Sequence, residues 1–308
     1  MSVRETTYRD VRALEVDSGA VKALLLPDNG ARFISLIDAK NGREWMSSES
    51  GEHYKPIHED TSYITGDVCG MDDMFPTIDP EIAPVPGGVR AGVEYNDHGE
   101  VCRHGFEWKI ENDRAVMTFT SSRLAYRYVK TCYAAADGGI IFDYHIENLS
   151  ADPFPFLWAG HCMLAHAQGG QVELPFAPGA KGEICFDEDA EYGERGTQFT
   201  VTPEMLVSRA FTPEGNAYKF YYLDPTPEGW IRYRVGDRVF IMEYDREKIP
   251  YVGVWMNNGK FKGFPCATPE PCTVAFDKVS EGAKRGMQST IPPHGCFDFS
   301  LKLSVRDA

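Results

Sequence analysis

From Val11 onward, hydrophobic and polar positions alternate in short runs that end at turn residues. VRALEV, AVKALLLP and ARFISLID come first, separated by DSG and DNG, and Asn41-Gly42 follows the third with a tight-turn signal. Alternation with period two puts one face of each strand against a core, so these runs predict a β-meander. The pattern loosens between Ser47 and Pro86 into a long loop-like region holding the phrase GMDDMFPTIDP. Loops of that length inside a compact domain are often functional. Strands are predicted again over VMTFTSSRLAYRYVKTCYAA, GGIIFDYHIENL, QVELP, TQFTV, AYKFYYL, GWIRYRV, RVFIMEY, YVGVWM and CFDFSLKLSV. Only EMLVSRAF and SEGAKRG carry short helical patterns. The expected fold class is all-β: a large antiparallel β-sandwich of two packed sheets with few short helices, forming one domain over residues 1–308.

The stretch from Asn148 to Pro175, NLSADPFPFLWAGHCMLAHAQGGQVELP, organises the rest. Its apolar run follows Pro153 and Pro155, contains Gly160 and stops at Gly169-Gly170, which favours a strand over a helix. Phe156, Trp158, Gly160, Cys162 and Leu164 then share one face, and Leu157, Ala159, His161, Met163 and Ala165 the other. His161 is thereby set on a covered, mainly apolar surface, either as a buried histidine satisfied by one hydrogen bond or as a functional group. Two further phrases mix ionisable and aromatic residues. NDHGEVCRHGFEWKI, at 96–110, holds His98, Arg103, His104 and Trp108. The run from Tyr251 to Thr273 holds Trp255 and then a Gly- and Pro-rich loop carrying Glu270, fixed between Pro269 and Pro271 in a stiff, partly extended backbone. That carboxylate is either displayed at a fixed aim or an ordinary surface acid. His145 shares a face with Ile141 and Asp143 and reads as a sheet-surface residue.

Composition narrows the partners. Hydrophobic residues at 43% and aromatic ones at 12% suffice for a substantial core. A formal net charge of -15 argues against nucleic acid and against an anionic membrane surface, both of which attract concentrated lysine and arginine. It leaves a neutral ligand such as a sugar open. Eight cysteines are scattered without a CxxC pair, so neither a zinc site nor a disulfide framework is announced. MSVRETTYRDVRALEV lacks the apolar core of a signal peptide, and no apolar run reaches the roughly 18 residues of a membrane span, so a cytoplasmic location is expected.

Taken in order, the phrases VKALLLPDNGARFISLIDAKNGREW, DHGEVCRHGFEWKI, IENLSADPFPFLWAGHCMLA, YVGVWMNN and ATPEPCT resemble the aldose 1-epimerase (galactose mutarotase) superfamily, in the branch near the hexose-phosphate mutarotases. The resemblance implies a galactose mutarotase-like supersandwich and an isomerase of the aldose 1-epimerase class that interconverts the anomers of an aldose. It makes Glu270 the general base at the anomeric hydroxyl and His161 the general acid at the ring oxygen. His98 would hold the substrate, and Arg103 another hydroxyl or a phosphate. Phe75, Trp158, Trp255 and Trp108 are candidate stacking surfaces. Ring opening needs a base and an acid at opposite ends of one hemiacetal, and a carboxylate and an imidazole both suit neutral pH. The implied partner is a monosaccharide or sugar derivative, bound by a monomer or homodimer, with no cofactor and no metal; chelation by Asp72 and Asp73 with a histidine lacks any HExxH-type spacing.

The sequence departs from that family at two points. Ala159 and Gly160 precede the histidine where galactose mutarotases carry an Asn, and Lys219 stands where their substrate-binding aspartate is expected. Asp72 or Asp73 is the candidate replacement. Two rival functions follow: a sugar-binding or regulatory module that has lost catalysis, or a glycoside hydrolase or lyase whose second carboxylate is Asp72, Asp73 or Glu100. The decisive observation is whether His98, His161 and Glu270 converge on one pocket, with imidazole and carboxylate about a pyranose ring apart.

Overall fold

Residues 2–308 are described by a computed structural model. Two large antiparallel sheets form the body. The first runs in the order Ser2–Tyr8, Val11–Asp17, Val21–Leu26, Arg32–Asp38, Met71–Met74, Ala159–Cys162, Cys266–Cys272, Tyr251–Asn257, Ala217–Tyr222, Lys181–Asp187 and Gln198–Thr200, with Leu164–Ala165 also paired to Cys266–Cys272. The second runs Gln171–Glu173, Trp230–Val235, Arg238–Tyr244, Cys296–Asp307, Ile140–Asn148, Tyr126–Ala134, Arg114–Ser121 and Glu107–Glu111. The β-sandwich expected from the alternation is therefore what the chain forms. The two helical patterns give a short 3₁₀ turn, Pro203–Leu206, and one α-helix, Val279–Lys284. Among the described residues no helix is long and apolar enough to cross a membrane.

Period-two alternation explains the layering. Along Ile140–Asn148 the even positions are buried and the odd ones partly or fully exposed, so one face packs inward and the other meets solvent. Strands of the larger sheet near its middle are buried on both faces; all four residues of Ala159–Cys162 and all seven of Cys266–Cys272 are buried. The space between the sheets is filled by aromatic side chains. Phe75 packs on Tyr126, Tyr128, Phe154 and Phe156, while Trp158 packs edge-on against Tyr144 and Phe299.

Several elements differ from expectation. Ser2–Tyr8, Glu107–Glu111 and Lys181–Asp187 are strands in addition to those predicted, and Met71–Met74, inside the expected loop, is a central strand of the larger sheet. ATPEPC, expected as a Pro-rich loop, is also a strand. Its partner on one side, Tyr251–Asn257, pairs along its whole length. On the other side pairing is confined to Cys266, Ala267 and Cys272, and Pro269 and Pro271 fall in the gap, where a missing N–H costs no ladder bond.

Candidate active site

The outer face of the larger sheet, turned away from the aromatic layer, forms the floor of a cavity of about 220 Å³. His161 and Met163 reach it from one strand region, Glu270 and Cys266 from the next strand, then Trp255 and Lys219 from the two beyond. The parity predicted around His161 therefore holds: His161 and Met163 face the cavity, while Trp158 points into the core. Tyr63, Ile64 and Val68 close one side from the long 47–70 segment, and Asp79, His98 and Asp277 stand at another.

Cross-strand register sets the floor. Glu270 lies opposite Gly253, which lies opposite Tyr221. A Cβ on Gly253 would come within 2.7 Å of the Tyr221 ring, so glycine there lets that ring lie over the sheet. The Tyr221 hydroxyl donates to Asp277 Oδ1 at 2.5 Å, and Cys185 Sγ lies 2.9 Å from Oδ2. Phe276 and Asp277 both have left-handed backbone, with φ of 74° and 62°, a sharp reversal that brings Asp277 back over the floor.

Three ionisable groups meet around Glu270, which is fully buried. Lys219 Nζ lies 2.6 Å from Glu270 Oε2 and 2.8 Å from Asp277 Oδ1. His161 Nε2 lies 3.5 Å from Glu270 Oε1. Neither Glu270 oxygen receives a well-aligned hydrogen bond, and His161 Nδ1 has no partner among the described residues, although native proteins pair nearly all such atoms. Burial pushes the Glu270 carboxyl above its ordinary range, with Lys219 pulling the other way. Burial also disfavours charge on Lys219, yet Asp277 and Glu270 outweigh it and raise the ammonium pKa. Asp277 is held below its ordinary value because Lys219 and its hydrogen bonds overcome burial. Burial, followed by the nearby His98, Lys219 and Arg32, holds His161 well below an ordinary histidine. Its closest anion cannot reverse this, because the Glu270 charge is already answered by Lys219 at shorter range.

His98 reaches the rim from a residue with φ of 58°, and its Nδ1 is 2.8 Å from Asp97, leaving Nε2 as its free nitrogen. Its ring stacks on Tyr63 at 3.8 Å and meets the His161 ring edge-on at 5.9 Å. The Tyr63 hydroxyl donates to Asp72 at 2.6 Å, and Arg32 Nε holds the other Asp72 oxygen at 2.8 Å.

His98, His161, Glu270 and Trp255 thus converge on one cavity, but the expected separation is not met, since imidazole and carboxylate sit closer than a pyranose ring is wide. The remaining candidates do not join them. Arg103 spends its guanidinium on the carbonyls of Gly99, His58, Thr61 and Asp97, tying two loops together. Asp73 faces the space between the sheets and pairs with Lys130 at 2.7 Å. Phe75 and Trp158 belong to the aromatic core, with the Trp158 indole donating to Tyr128 at 3.0 Å. Trp108 is half-buried on the second sheet, under the Arg12 guanidinium. Asp72 lies opposite His161 on the same face of the sheet but is consumed by Tyr63 and Arg32, so neither candidate replacement for the expected aspartate lines the cavity. Asp277 and Asp79 do, and both were missed, as were Tyr63 and Phe186. Lys219 was noticed only as a departure; its role as the partner of Glu270 was not.

No family model matches the sequence, and no curated protein matches it. Solved structures do. The chain superposes on a Synechocystis protein with a TM-score of 0.71 at 11% identity, covering 98% of this chain and 99% of that one. A galactose mutarotase-like protein of Clostridium acetobutylicum gives 0.68 at 15% identity over 99% and 98% of the two chains. A candidate aldose 1-epimerase of Klebsiella pneumoniae gives 0.70 at 13% identity over 97% and 81%. The chain has the galactose mutarotase-like fold.

Proposed function

We propose that the protein is an aldose 1-epimerase-like isomerase that opens and recloses the ring of a monosaccharide, using Glu270 and His161 as its acid–base pair. The observation that carries this reading is the His161–Glu270 contact at 3.5 Å, buried on the wall of a cavity with unsatisfied polar atoms on both partners. The reacting form carries a proton on His161 and is a minority of molecules at neutral pH. In it, Glu270 takes the proton from the anomeric hydroxyl while His161 gives one to the ring oxygen, and the bond between the anomeric carbon and the ring oxygen breaks. After rotation of the aldehyde, the freed hydroxyl attacks its other face. His161 regains its proton and Glu270 returns one to the anomeric oxygen, so nothing is consumed. Burial raises the proton affinity of the carboxylate, which strengthens it as a base, and lowers that of the imidazole, which strengthens its protonated form as an acid.

Lys219 supports the pair by favouring the ionised form of Glu270. Asp277 in turn orients Lys219. His98, held by Asp97 and stacked on Tyr63, presents Nε2 to a sugar hydroxyl, and Trp255 offers an apolar face. A sugar entering between acid and base has to part them. That same contact favours a second reading, a module that binds a sugar without turning it over. Polarimetry or NMR saturation exchange on a panel of aldoses separates the two. The enzyme accelerates anomer exchange and Glu270→Gln abolishes the acceleration; saturable binding with no acceleration supports the second reading.

A further inference from the structure

The outer face of the smaller sheet, on the opposite side of the molecule from the cavity, carries a separate grouping of reactive side chains. Ile140–Asn148 and Cys296–Asp307 pair with His145 opposite Asp298 and Glu147 opposite Cys296. Alternation therefore sets these four residues on one solvent-facing surface. His145 Nδ1 lies 2.6 Å from Asp298 Oδ1, and Cys296 Sγ lies 3.2 Å from Asp298 Oδ2. One nitrogen, one sulfur and one carboxylate oxygen all fall within 4.8 Å of one another. Cys296 is exposed, whereas the other seven cysteines are buried.

We infer that His145, Cys296 and Asp298 form a surface site for a thiophilic divalent transition ion of the zinc class. The donor set decides the kind of ion: thiolate and imidazole favour Zn²⁺ and its neighbours over Mg²⁺ and Ca²⁺, which prefer all-oxygen shells. Charge also balances, since one thiolate, one carboxylate and a neutral imidazole cancel a divalent charge. Bonds of about 2.0–2.3 Å to a tetrahedral ion place ligand atoms roughly 3.3–3.8 Å apart. The donors already stand at hydrogen-bond spacing, so small side-chain rotations open the set to that geometry. The ion replaces the protons now shared within the cluster, and the thiol proton leaves to solvent. Glu147 is engaged by Arg127 at 2.7 Å, which leaves the fourth position to water. Lys248, packed over Phe297, is the nearby cation that the site has to tolerate.

Co²⁺ is the probe, because a thiolate bound to it gives a near-ultraviolet charge-transfer band and tetrahedral coordination gives visible bands. Titrated into the full chain, Co²⁺ should raise both to saturation at one ion per chain, and Zn²⁺ should abolish them. Cys296→Ser should remove the charge-transfer band, and His145→Ala and Asp298→Asn should each weaken binding about tenfold or more. Because the seven other thiols are buried, the band reports Cys296 alone. Absence of a saturable band, or a band unchanged in Cys296→Ser, overturns the assignment. All three side chains are exposed, so the variants keep the fold, which their thermal melting checks. Sugar turnover plays no part in the readout, so the result stands apart from the fate of the proposed activity.

Discussion

Two lysine–carboxylate pairs occupy opposite faces of the larger sheet. Lys130 and Asp73 meet at 2.7 Å between the sheets, both fully buried, with Lys130 also donating to the Ala31 carbonyl at 3.1 Å. Lys219 and Glu270 meet at 2.6 Å on the other face, and Lys219 continues to Asp277. Burial raises the carboxyl pKa in both pairs, with the lysine opposing it. A raised carboxyl pKa therefore does not distinguish the proposed base from a structural ion. The distinction lies in company: Asp73 is sealed behind aromatic rings, whereas Glu270, although no more exposed, lines a cavity and faces an imidazole.

The strongest way to break that comparison is to neutralise each carboxylate in turn. Glu270→Gln should lower catalysed anomer exchange by about 10²–10⁴-fold, the usual worth of positioned proton transfer. Asp73→Asn should leave the rate per folded molecule unchanged and instead cost stability, about 3–5 kcal/mol in denaturant titration, because the Lys130 ammonium remains buried without its partner. Equal rate losses in the two variants would end the division of roles. Lys219→Met is the sharper and smaller test, with a rate loss of roughly tenfold at neutral pH. Lys219 lowers the Glu270 pKa, so its removal lets burial push the carboxyl higher still. The acidic limb of the pH–rate profile should then move to higher pH, and Lys219→Arg should restore part of the original position. A limb that stays in place would mean that Lys219 only fills space.

Much of this division was legible in the sequence, and the misses have physical causes. Alternation located most strands and put His161 and Trp158 on opposite faces, so it already argued that both could not line one pocket. Choosing Trp158 as a stacking surface ignored that parity, and the structure places it in the core. Glu270 was picked out by its flanking prolines, but those same prolines hid the strand that carries it, because the gap in pairing beside Pro269 and Pro271 is a tertiary fact. Arg103 looked like a ligand for substrate because sequence does not reveal which loop carbonyls will surround a guanidinium. Asp277 enters the cavity through left-handed backbone at Phe276 and Asp277, residues whose types do not announce that conformation. Ala217–Tyr222 is buried throughout, so alternation could not say which face Lys219 would take.

The smallest expected effect concerns stability rather than rate, and it separates the cavity face from the sealed one by the sign of its pH dependence. His161 is held well below the ordinary histidine value of 6.5, first by burial and then by the neighbouring cations. The unfolded chain takes up a proton on that imidazole near pH 6.5 while the folded chain resists it. Its contribution to stability is therefore complete above pH 6.5 and drains away as pH falls through that value toward the folded pKa, by about 1 kcal/mol per pH unit. Asp73 on the sealed face works in the opposite sense. Its folded pKa is raised, so it favours the folded state at low pH, and that benefit is lost as pH rises through the folded value. His161→Gln should flatten the decline seen in denaturant titrations below pH 6.5 and leave the Asp73 dependence in place. An unchanged slope in His161→Gln would show that the imidazole takes up its proton as readily in the folded chain as outside it, and the lowered proton affinity assigned to His161 would lose its basis.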